Sequence, residues 1–254
     1  MKFPSKLLLV LGLLPALVSA LPAASADAVI ARARAYLGSD KSLEAIRSIH
    51  YVGTIELRDD RGKIVPEASG TLEMIVQQPA QHLNIRTTDR MRETVGLDDL
   101  SGWQQVETLQ APLQRGMVIL PPAQLRRLQA VTFENLAFYR GIEARGGRLE
   151  LRGESTIDGK TVVAVAFVHS PDLVFVRYFD KATGRLIMSE DPVGGQVREE
   201  GEVVVNGVRF PQRMRSAGRT QDGKPYTVTI SFEKITVNET FPDERFAAPL
   251  SSAK

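Results

Sequence analysis

Alternation with a period of two recurs along most of this chain, and nearly every stretch of it ends in tight-turn residues. The clearest case sets Tyr226, Val228, Ile230 and Phe232 against Thr227, Thr229, Ser231 and Glu233, just after Asp222-Gly223. Such a stretch is a half-buried strand, apolar on one face and polar on the other. Earlier, Tyr51, Gly53, Ile55 and Leu57 alternate with His50, Val52, Thr54, Glu56 and Arg58, and Asp59-Asp60-Arg61-Gly62 makes a turn. Leu72, Met74 and Val76 then oppose Glu73 and Gln77, and Leu83, Ile85 and Thr87 oppose His82, Asn84 and Arg86. Strands this close, joined by short polar turns, predict an antiparallel meander.

The second half repeats the theme. Leu149 and Leu151 alternate with charges, and Ile157-Asp158-Gly159-Lys160 is a hairpin turn in which glycine takes the positive φ that the turn demands. Val162–Val168 is apolar on both parities, so that strand is expected to be covered on both faces. Val174–Phe179, Val203–Val205 and Val208–Phe210 follow, the last two around Asn206-Gly207. Helical spacing is confined to a few places. Val29, Ile30, Ala33, Tyr36 and Leu37 follow Asp27 as an N-cap, with Gly38 closing the helix. Ser42 caps a short turn. Pro121-Pro122 opens a helical island with Leu125 and Leu128, and Thr132 caps a second piece carrying Phe133 and Leu136. Trp103 and Val106 suggest one more strand before it. The result is a single α+β domain over residues 27–254, without a linker or a repeat.

Residues 1–26 read as a secretory signal. Lys2 and Lys6 precede an apolar run over Leu7–Val18, and Val18-Ser19-Ala20 and Ala24-Ser25-Ala26 both fit the small-x-small cleavage rule. Cleavage after Ala26 is favoured, with Ala20 as the alternative. The run falls short of the roughly 20 apolar residues that cross a bilayer. Those two lysines account for the whole formal charge of +2. A mature chain balanced in sign gives no bulk electrostatic reason to bind nucleic acid.

Chemistry is harder to find. The chain has no cysteine, which excludes disulfides, thiolate metal sites and a cysteine nucleophile. His50 and His82 fall on the polar parity of their strands and His169 stands at a strand end, so all three are expected at the surface, with no metal or other cofactor. No Gly-x-Ser-x-Gly and no phosphate-cradling loop is present. Glu199-Glu200 is an acid pair, but neighbours on a strand point to opposite faces.

Several short motifs, in order, resemble those of the periplasmic lipoprotein-localisation carrier (LolA-like) superfamily, and of its outer-membrane lipoprotein-sorting branch in particular. They are Leu43 to His50, Gly70-Thr71-Leu72-Glu73-Met74 through Gln78-Pro79, and Asp99 through Trp103, with the glycine displaced to Gly102. Then come Ile157 to Lys160, Tyr178 to Leu186, Val205-Asn206-Gly207-Val208-Arg209-Phe210-Pro211, and Val237-Asn238 to Phe246-Ala247-Ala248-Pro249. The resemblance implies an open, half-barrel antiparallel sheet of about eleven strands, with short helices over its concave face and an apolar cavity between them. The cavity-lining candidates are Leu72, Met74, Val76, Leu83, Ile85 and Trp103 on the sheet, and Leu125, Leu128 and Leu136 on the helical island.

On that resemblance the chain is a non-enzymatic periplasmic carrier of lipophilic cargo, either lipoprotein acyl chains or another lipid. Its partner proteins would be an inner-membrane transporter or an outer-membrane receptor, and it would act as a monomer. A sensory module of the same fold that binds a partner protein is the alternative. Gln78 stands where well-studied carriers place a gating arginine, a departure that bears on hand-over to a receptor. Each buried methylene contributes roughly 0.8 kcal/mol, so an acyl chain needs no catalytic group to be held.

Overall fold

The computed structural model describes residues 25–249, so nearly all of the proposed signal segment lies outside the described residues. The N-terminal helix α1 spans Ala26–Leu37. Its N-cap is Ser25 rather than Asp27, with the serine hydroxyl accepting from the Ala28 amide at 3.2 Å. A short helix α2 (Asp40–Glu44) follows, capped by Ser39 rather than Ser42.

The first meander comprises β1 (Ser48–Arg58), β2 (Gly70–Gln77), β3 (Gln81–Thr88), β4 (Met91–Asp98), β5 (Ser101–Thr108) and β6 (Arg115–Ile119). After it comes α3 (Pro122–Ala137), one continuous helix where the sequence suggested two pieces. Thr132 caps nothing. Its hydroxyl donates to the Leu128 carbonyl at 2.8 Å, one turn back, as mid-helix threonines do. The second half runs through β7 (Arg148–Ile157), β8 (Lys160–Ser170), β9 (Leu173–Asp180), β10 (Leu186–Glu190), β11 (Gln196–Glu200), β14 (Arg213–Arg219) and β15 (Pro225–Val237). A separate small hairpin, β12 (Val203–Val205) with β13 (Val208–Phe210), sits between β11 and β14.

Thirteen of these strands form one curved, open antiparallel sheet in the order β6-β5-β4-β3-β2-β1-β15-β14-β11-β10-β9-β8-β7. The first half grows outward from β1 to one edge; the second starts at the other edge and works inward until β15 joins β1. Helix α3 therefore connects the two edges and crosses one face of the sheet on the way. At one end Leu125 and Leu120 pack over Gly102. Further along, Arg127 reaches Asp191 at 2.6 Å.

Register decides which residues share a face, because directly opposed residues on paired strands project to the same side. Ile49, Tyr51 and Gly53 oppose Val76, Met74 and Leu72, and this set lies beneath the helices with Leu43, Ile46 and Phe138. Ile75 and Glu73 oppose Leu83 and Ile85, which in turn oppose Gly96 and Thr94. That row belongs to the other face. There Ile75, Leu83 and Trp103 are covered by the segment after β15, through Phe241 and Phe246, and the Trp103 indole N–H donates to the Phe246 carbonyl at 2.8 Å. No helix among the described residues is long and apolar enough to cross a membrane.

Candidate functional site: a cavity under helix α3

Between α3 and the second half of the sheet lies a cavity of about 340 Å³. Its apolar walls come from Leu37 of α1, Val131 of α3, Phe138 just beyond it, Phe175 of β9, and Phe210 and Met214. Sheet register builds its floor. Arg177 opposes Ser189 and Ser189 opposes Val197 across β9, β10 and β11, so all three project to the helix-covered side. Glu199, two residues beyond Val197 and opposite Met214, joins them. Its neighbour Glu200 points the other way, where it lies 3.8 Å from Arg213.

The floor is charged. Glu134 descends from α3 with only 6% of its side chain exposed and meets His169 Nε2 at 2.6 Å. Its other oxygen accepts from Arg177 Nη2. The Arg177 guanidinium lies 4.4 Å from the centre of the Phe167 ring and 5.2 Å from that of Tyr139, and its remaining amino group, Nη1, is buried without a hydrogen-bond partner. Glu199 makes no hydrogen bond to the described residues. Burial, opposed by the charges of Arg177 and Arg185, pushes its carboxyl up to about 7. Burial, reinforced by the charge of Glu199, likewise raises the Tyr51 and Tyr139 hydroxyls, which stay neutral.

A second, smaller cleft adjoins the end of α3. Arg34 of α1 is 5% exposed and donates to the carbonyls of Phe138 at 2.8 Å and Ala137 at 3.3 Å, while holding Asp40 at 2.6 Å. These are carbonyls that a helix C-terminus leaves without intrahelical partners. Phe138 and Tyr139 both take left-handed backbone there, with φ of 46° and 70°, which stops the helix abruptly.

The structure disperses the residues expected to line a cavity. Leu72, Met74 and Val76 sit beneath the helices, the first two within the closed core cluster around Leu43 and Phe138. Leu83, Ile85 and Trp103 lie on the opposite face with the C-terminal segment, because odd residues of β3 oppose odd residues of β2, on the side away from Met74. Leu125 packs over Gly102, Leu128 is half-buried, and Leu136 borders the Arg34 cleft. None of the nine lines the cavity under α3.

The expectation for the histidines needs correction. His82 is 3% exposed, between Val76 and Leu97 on the helix-covered face, and burial lowers its pKa to about 4. His50 bridges Glu73 and Glu239 at 3.1 and 3.0 Å, and His169 is tied to Glu134. Polar parity failed to mean exposure because His82 shares the helix-covered face with Val76 and Leu97, while His50 and His169 are drawn into contacts with carboxylates. One signal for the cavity was available: Glu199 shares the parity of Val197, a carboxylate on an apolar face.

No family model matches the sequence, and no curated protein matches it. Solved structures do. A DUF1329 family protein from Desulfovibrio piger superposes with a TM-score of 0.52 at 10% identity, over 87% of this chain and 97% of that one. A LolA superfamily protein from Nitrosomonas europaea gives a TM-score of 0.52 at 11% identity, over 89% of this chain and 99% of that one. The fold is LolA-like. At such identities the likeness concerns backbone architecture: the open sheet and the helices laid over one face. Within this LolA-like fold, Gln78 accepts from Arg47 at 3.2 Å, and the carbonyls at the end of α3 are held by Arg34.

Proposed function

We propose that this protein is a non-enzymatic binder of a lipophilic or amphipathic small molecule, exported to the periplasm by its N-terminal signal. The observation that carries the proposal is the cavity under α3, with aromatic and aliphatic walls inside a LolA-like fold. Ligand pockets commonly enclose about 300–1,000 Å³, and this one lies near the lower bound. A single chain or a small amphiphile suits it as it stands. Several acyl chains at once, as on a lipoprotein, would require α3 to move away from the sheet. Carriage of lipoprotein acyl chains, with a transporter or receptor as partner, is the more demanding form of the same function and calls for that movement.

Native mass spectrometry of protein purified from its host envelope, followed by extraction and lipid analysis, tests the proposal. The expected result is a stoichiometric amphiphile that dissociates on unfolding. Protein that is consistently empty, and that also takes up no added amphiphile, would sink it.

A further inference from the structure

Resting on that function, we infer that the cavity floor is a headgroup site for a carboxylate, formed by Arg177 and Glu199, so that the favoured ligand is a single-chain amphiphile ending in a carboxylic acid. The charges around the cavity are otherwise spoken for. Glu134 is held by His169 and Arg177, and Asp191 by Arg127. Arg209 and Arg185 face Glu202 at 3.4 and 3.9 Å. Glu190 accepts from the Tyr178 hydroxyl and from Gln196 at 3.4 and 3.3 Å. Among the charged groups that line the cavity, Nη1 of Arg177 is buried without a partner and the carboxyl of Glu199 makes no hydrogen bond to the described residues; the hydroxyls of Tyr51, Tyr139 and Ser189 line the same space, also without one.

Their chemistry selects the ligand. Arg177 is a permanent donor, and its positive charge is already balanced by Glu134. Glu199 faces Arg177, Arg185, Arg127 and Arg209 together with Glu134, Glu190, Asp191, Tyr51 and Tyr139, yet bonds to none of them. With its proton held up to about neutral pH, it also offers an O–H. Two donors on an otherwise neutralised floor match the two acceptor oxygens of a carboxylate. A cationic head would find Arg177 in its way, and an uncharged hydroxyl head would satisfy only part of the donor set. The apolar walls then take the chain. When a carboxylate enters above the Glu199 pKa, the glutamate takes up a proton, because two carboxylates sharing one site cannot both stay ionised.

Isothermal titration of the ligand-free protein with decanoate, 1-decanol and decyltrimethylammonium, all below self-aggregation, provides the test. The expected order is decanoate over decanol by about tenfold, with the cation weakest. Decanoate affinity should fall by about tenfold between about pH 6 and pH 8, with proton uptake at the upper end. Glu199→Gln keeps a donor but loses the titration, so decanoate binding should persist and become flat with pH. Glu199→Leu should erase the preference for the acid while leaving decanol binding in place. Equal binding of all three heads, preference for the cation, or an acid preference that survives Glu199→Leu would overturn the headgroup assignment while leaving the cavity as a binding site. No binding of any probe would overturn the proposed function as well.

Discussion

Two residues give the protein opposing responses to acid. His82 has a folded pKa near 4, below its unfolded value near 6.5, so the unfolded chain binds the extra proton. Its contribution is intact above about pH 6.5 and is lost as pH falls towards 4, amounting to about 3 kcal/mol. Glu199 behaves oppositely. Its folded pKa lies near 7, above its ordinary value of 4.5, so the folded state holds the extra proton and stability falls as pH rises through that window. Over the shared range the two effects offset each other, and the wild-type urea midpoint should vary little. His82→Leu also removes the partnerless ring nitrogen Nδ1, so stability near pH 7 should hold or rise, and acidification should then raise the midpoint. Glu199→Gln should leave a steep loss of stability on acidification. Identical pH profiles for wild type and both variants would contradict these assignments. Glu199 leaves a trace in the sequence through the parity it shares with Val197, whereas His82 leaves none, because alternation reports which side a side chain leaves and says nothing about what lies over that side.

Helix α3 is the element on which the cavity depends, and Arg34 fixes its end. Replacing Arg34 with methionine keeps most of the packed volume but releases the Ala137 and Phe138 carbonyls and leaves Asp40 without its ion-pair partner on α1. Hydrogen bonds from a charged donor contribute roughly 1.5–3 kcal/mol each at most, and sharing between two carbonyls points to a loss of about 2 kcal/mol overall. Amide hydrogen exchange should accelerate over the last turns of α3 more than in β1 or β2. Uniform acceleration across the molecule would show that Arg34 supports the fold globally instead. The start of α3 is legible in Pro121-Pro122, but Thr132 resembles a cap in the sequence and is an interior residue in the structure. Strands were legible where alternation is strict, as in β1, β2, β3 and β15. They were missed at β4, β10, β11 and β14, where Glu93, Glu190, Glu199 and Ser216 stand on the same parity as the apolar residues. Those residues are half-buried in the sheet, so mixed polarity there did not mean loop.

At the scale of the whole molecule, the sheet is covered on its two sides by different means: helices on one, and on the other, over Ile75, Leu83 and Trp103, the segment that follows β15. Phe246 is fully buried in that segment, so Phe246→Ala should cost about 3–5 kcal/mol. Trp103 is the only tryptophan and donates to the Phe246 carbonyl, so its emission should shift to longer wavelength if the segment lifts. Unchanged emission in a destabilised variant would show that the segment stays in place. The general architecture was foreseeable from the turn sequences and their order, whereas this covering was not, since Phe241 and Phe246 stand in a stretch with no periodicity. The meeting of β1 with β15 has a kinetic side. A chain delivered from its N-terminus can pair β1 through β6 as they arrive, and then β7 inward to β14, each step joining near neighbours in sequence. The two half-sheets stay separate until β15 arrives, and that pairing joins residues as distant as Gly53 and Phe232. Contacts this remote in sequence form slowly. Until they form, β1 and β14 each present an open strand edge, and in that interval an emerging copy is exposed to proteases and to mispairing with its neighbours.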